Sequence, residues 1–112
     1  MDKLQEFTYT NMLIEKYGSL LTEAQLNIME QYYCYNLSLS EIADNNEISR
    51  NAVLDCIKKS THKLNMYEEK LGLLKKDEKI LKQIEKIKEN PNEKAILKLE
   101  RMIKDGIWVF DW

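Results

Sequence analysis

Apolar residues recur at intervals of three and four along most of the chain, and this spacing predicts amphipathic helices throughout, an all-α protein. From about Lys3 to Tyr17 the apolar set is Leu4, Phe7, Met12, Leu13 and Ile14, with Gly18 suited to a left-handed stop. Thr22 and Gln25 are placed as a capping box for a second helix, which turns Leu26, Ile28, Met29 and Tyr33 inward and should end near Asn36. Ser38 and Glu41 repeat the box before a short third helix with Leu39, Ile42 and Ala43 on its buried edge. Ser49 caps the fourth and longest helix. Its stripe of Val53, Ile57, Ser60, Leu64, Tyr67 and Leu71 faces one partner for its whole length.

After Gly72 the habit continues in LLKKDEKILKQIEKIKEN, with Leu74, Ile80, Leu81, Ile84 and Ile87 apolar. Asn90-Pro91 breaks that helix, Asn92 can cap the next, and Ile96, Leu99 and Ile103 share one side of a segment running to Gly106. Residues 1–71 therefore read as a compact head, and residues 72–112 as a helical arm ending in the aromatic tail IWVFDW. Lysine and glutamate mostly alternate along the arm, which reads as a solvated face with local ion pairs.

The densest local signal is SLSEIADNNEISRNAV, Ser38 to Val53: two serine-capped helices separated only by Asn46–Ile48. Such spacing matches a helix-turn-helix, which needs a small residue in its first helix, apolar contacts across the corner and a capped second helix. Ala43, then Ile42 with Ile48 and Val53, and Ser49 meet those needs. Opposite the buried stripe, the fourth helix carries Asn51, Asp55, Lys58 and His62, flanked by Leu54 and Lys59. On DNA, Asn51 could pair with adenine, Lys58 with a guanine edge and Asp55 with cytosine, while Arg50, Lys59 and Lys63 could hold phosphates. Four basic residues stand against one aspartate between Ser49 and Lys63, yet Glu41, Asp44 and Glu47 on the preceding helix and turn cancel that surplus.

Composition narrows the functional classes. A chain of 112 residues, 44% hydrophobic, can bury one modest core. A formal net charge of −2 excludes coating nucleic acid by bulk charge, so any phosphate contact must be local. Cys34 and Cys56 have no metal-ligand spacing and read as small core residues of a reduced protein; no metal or cofactor is expected. His62, the only histidine, has no serine, cysteine or carboxylate placed for it to orient, and no phosphate loop or carboxylate pair is present, so no enzyme is expected. Tyr32, Tyr33 and Tyr35 are expected to fill the core and its rim. Charged residues in the first twenty positions and the lack of a long apolar run point to the cytoplasm rather than a membrane.

In order and without gaps, YGSLLT, SLSEIA, SRNAV and YEEKL between Tyr17 and Leu71 resemble the YlxM family, small bacterial proteins grouped as DNA-binding, whose head is similar to region four of sigma factors. The resemblance implies a sigma-like helix-turn-helix with DNA as partner. It also implies an association with the signal recognition particle, whose GTPase gene is commonly adjacent; a component of that particle or its RNA is thus a further candidate partner, for an adaptor role. The chain departs from the family at the corner, with Asn46 where a large apolar residue is usual and Glu47 where glycine, asparagine or aspartate is common. Glutamate tolerates the left-handed conformation less well and asparagine packs no core, so a looser corner is expected. Finally, the long stripe and the tail together predict a homodimer packed through Leu64, Tyr67, Leu71, Trp108, Phe110 and Trp112.

Overall fold

The structure is a computed structural model, described here for residues 2–104. Six α-helices follow in order: α1 Lys3–Tyr17, α2 Glu23–Tyr33, α3 Leu39–Asn46, α4 Arg50–Leu71, α5 Leu73–Glu89 and α6 Glu93–Lys104, with a 3-10 turn at Gly18–Leu20. The all-helical class expected from the spacing is the one found. By contacts the described chain forms two compact units, which divide between Gly72 and Leu73.

In the first unit, local chemistry starts each helix. Thr22, Ser38 and Ser49 accept hydrogen bonds from the backbone N–H of Gln25, Glu41 and Ala52 at 3.2, 3.1 and 3.0 Å. Asp2 and Gln5 add a capping box at α1 that the sequence reading passed over. Gly72 stops α4 in the left-handed region at φ 62°. Gly18 does not act that way: its φ is −55°, and what it supplies is space, since a Cβ there would stand 2.9 Å from Leu26 Cδ1. The left-handed residue after α2 is instead Asn36, φ 56°.

Helices α1, α2 and α3 all pack on α4. Leu13, Tyr17, Met29, Ile42, Val53 and Leu64 are fully buried, and burying each large apolar side chain contributes roughly 1.5–3 kcal/mol. Tyr17 donates its hydroxyl to the buried Glu68 carboxylate at 2.6 Å. Phe7, Tyr32 and Tyr33 form an aromatic cluster at the core's edge, with ring centroids 4.6–5.7 Å apart. Leu4 and Met12, expected inside, are exposed, and so is Cys34, whose thiol lies 3.5 Å from Asn11 Oδ1. Both side chains sit off the face that α1 turns to α4, and Cys34 falls just past the end of α2.

The long stripe of α4 also differs from its expected role. Val53, Ile57, Ser60, Leu64 and Glu68 are all buried within this unit. A second copy is not needed to cover them, and Leu64, fully buried, cannot serve as a dimer contact. The Tyr67 ring lies tilted against Tyr17, with centroids 6.0 Å apart, and Leu71 is exposed.

The second unit is a helical hairpin. Asn92 Oδ1 accepts from Ala95 N–H at 2.8 Å and starts α6 after the Asn90-Pro91 break. Buried Gln83 donates its amide to the Ala95 carbonyl at 2.9 Å and ties the two helices together. Ile80, Ile84 and Ile87 of α5 and Ala95, Leu99 and Met102 of α6 are half-buried. Gly106 and the tail residues Trp108, Phe110 and Trp112 lie outside the described residues.

Candidate nucleic-acid interface

Helix α3, the turn Glu47–Ser49 and helix α4 make the corner. Glu47 adopts φ 54°, ψ 43°, the left-handed conformation anticipated at this position. Around it the N–H of Ile48 bonds to the carbonyl of Ala43 at 3.1 Å, and the N–H of Glu47 to that of Asp44 at 3.3 Å. This is a Schellman closure, which satisfies the last carbonyls of α3. Glycine would hold the same conformation without Cβ strain, while adding freedom to the unfolded chain. Glu47→Gly is therefore expected to stabilise the protein by about 0.5 kcal/mol, read as a higher urea midpoint with unchanged slope. A lower midpoint would mean that the glutamate is not strained there.

Nor is the corner loose at Asn46. Its Nδ2 donates to the Ile42 carbonyl at 2.6 Å and to Gln31 Oε1 at 3.2 Å. Its Oδ1 accepts from Asn27 Nδ2 at 3.2 Å and from Gln31 Nε2 at 3.4 Å. A polar clasp between α2 and α3 replaces the apolar contact. The sequence reading missed it, and the one sign was that Asn27 and Gln31 stand four apart, on one edge of α2.

With α4 fixed by its inner stripe, the opposite strip is open. Asn51, Asp55, Lys58 and His62 are all exposed along it, four, three and four residues apart. Arg50 is exposed in the first turn, and Leu54 is half-buried at the strip's edge. Ser49 is engaged as the cap. Lys59 Nζ lies 3.0 Å from Asp55 Oδ2, an exposed pair worth at most about 0.5 kcal/mol but one that offsets the lysine's charge. Lys63 is half-buried and donates to Gln25 Oε1 at 3.4 Å, so it turns toward α2. The strip thus gathers Asn51, Asp55, Lys58 and His62, with Arg50 and Lys59 beside it, and leaves Lys63 apart.

Acidic groups border this face. Glu41, Asp44 and Glu47 are exposed, and hydrogen bonds from the Ser38 amide and hydroxyl hold the Glu41 carboxyl below its ordinary value. Among the described residues no group of histidines, cysteines and carboxylates could hold a metal ion. Partial burial, and then Glu30, push the Cys34 thiol above its usual value, away from a reactive thiolate.

A short helix, a Schellman turn and a capped helix with an open polar strip define a helix-turn-helix protein. The chain belongs to the family UPF0122, described as "Putative helix-turn-helix protein, YlxM / p13 like", whose model matches residues 4–104. It is 46% identical to a UPF0122 protein of Caldanaerobacter subterraneus over 84 residues, 75% of this chain and 72% of that one. Against a UPF0122 protein of Clostridium acetobutylicum it is 41% identical over 109 residues, 96% of this chain and 90% of the other. No described helix is long and apolar enough to cross a membrane.

Proposed function

We propose that the protein is a cytoplasmic, non-enzymatic DNA-binding regulator whose α4 lies against duplex DNA with its outward strip. The observation that carries this reading is the exposure of Asn51, Asp55, Lys58 and His62 along one strip of a helix whose other side is buried. In the major groove, Asn51 offers adenine a donor and an acceptor, Asp55 accepts from cytosine, and Arg50 and Lys58 supply positive charge. Binding is weak in this account, because Lys59 shares its charge with Asp55, Lys63 turns toward Gln25, and the carboxylates of α3 repel phosphate.

On random-sequence duplex at low salt, Lys58→Ala should weaken binding roughly fivefold, about 1 kcal/mol, and lower the salt slope by about 1. Lys59→Ala should cost clearly less. Unchanged affinity in Lys58→Ala would overturn the reading. The acidic border of Glu41, Asp44 and Glu47 favours one other reading, an adaptor for a protein component of the signal recognition particle, as the family resemblance implies. In that case the same variants leave partner binding intact while DNA binding is absent from the wild type.

A further inference from the structure

Charge is divided unevenly along the chain. Residues 1–72 hold seven basic and eleven acidic residues, whereas residues 73–104 hold ten basic and six acidic. Within the hairpin the basic residues are also sorted by face. Lys94, Lys98 and Arg101 stand at intervals of four and three on one flank of α6, while Glu100 takes the other flank. Lys86 of α5 joins the basic set across a groove of about 970 Å³ between the helices, with Glu89 and Glu93 at its turn end. Lys82 and Lys104 pair with Glu78 and Glu100, at 3.2 and 2.6 Å. None of the four groove cations forms an ion pair among the described residues. Beneath them Gln83, only 5% exposed, is bonded to the Ala95 carbonyl and holds the two walls in register.

We infer that this groove is a second binding site, for the phosphate backbone of nucleic acid. Four unpaired cations along a rigid hairpin form a short line of positive charge, which attracts a polyanion and displaces its counterions whatever its sequence. The occupant is duplex DNA. The choice of DNA rests on the reading of α4, to whose last residue the hairpin is joined through Gly72 alone, so that one bound site raises the local concentration of ligand at the other. The groove itself does not depend on that reading.

The test uses the full chain and a fluorescent random-sequence duplex of about 30 base pairs, titrated across salt. Three variants are compared with wild type: Lys94→Glu with Lys98→Glu in the groove, Lys82→Glu with Lys104→Glu outside it, and Lys58→Ala on α4. The first two change the net charge equally, and circular dichroism confirms that each keeps its helices. The groove variant should bind at least tenfold more weakly with a salt slope lower by about 2, and the outer variant should lose less than threefold. Equal losses in the two would reduce the effect to net charge and overturn the site. Wild-type affinity in the groove variant would also overturn it, as would a loss seen only with a structured RNA, an acidic peptide or anionic vesicles. If Lys58→Ala binds like wild type while the groove variant fails, the groove stands and the α4 reading falls; the opposite pattern does the reverse.

Discussion

Replacing Leu64 with alanine is expected to remove about 3 kcal/mol of stability, within the range of 2–5 for a fully buried leucine. Leu64 is 0% exposed, and α4 is the helix on which α1, α2 and α3 all pack. The loss has two parts: the transfer of the missing methyl groups to water, and a cavity that close-packed neighbours refill only partly. A domain of this size commonly holds about 5–15 kcal/mol in all, so the variant should melt far below the wild type. Leu71, on the same helix but 57% exposed, gives the matched control, and Leu71→Ala should change the urea midpoint little. Equal costs at the two positions would mean that the inner stripe of α4 is not the core. A cost at Leu64 that rises as the protein is diluted would restore the dimer.

The second large effect is expected at Asn46. Asn46→Ala should cost about 2 kcal/mol, because it removes the bonds to Ile42, Gln31 and Asn27 and leaves the half-buried Gln31 amide with only the 3.5 Å bond from Asn45. A double-mutant cycle with Gln31→Ala isolates the clasp, with a coupling of about 1 kcal/mol expected. Additive losses would show that the two amides do not act together. Because the clasp fixes α3 on α2, its loss should also weaken DNA binding without altering the salt slope, since no phosphate contact is removed.

Much of the head was legible because its signals are local. Thr22, Ser38 and Ser49 cap helices through atoms three residues away, and the stripe of α4 repeats at the helical period, so neither depends on the rest of the fold. Glu47 was legible for a related reason: a short helix followed so closely by another needs a left-handed residue between them. Gly18 was misread because its reason is tertiary, the approach of Leu26 from α2. How far the α4 stripe is covered by its own chain was not legible, because the sequence shows how long an apolar face is but not how many helices fold over it. The clasp at Asn46 joins residues fifteen and nineteen apart through amide geometry, which leaves no periodic trace. Along the arm, lysine and glutamate alternate in the linear text, and the turn of the helix sorts them into a basic groove and an acidic flank.

The central claim, that the outward strip of α4 meets DNA, is tested most directly by following backbone amide resonances of the full chain while random-sequence duplex DNA is added at low salt. The account predicts that the largest shifts fall on Asn51, Asp55, Lys58 and His62, with Arg50 beside them, that the buried side at Val53, Ile57 and Leu64 moves far less, and that the shifts fade as salt is raised. Shifts absent from α4, or confined to the hairpin, would contradict it.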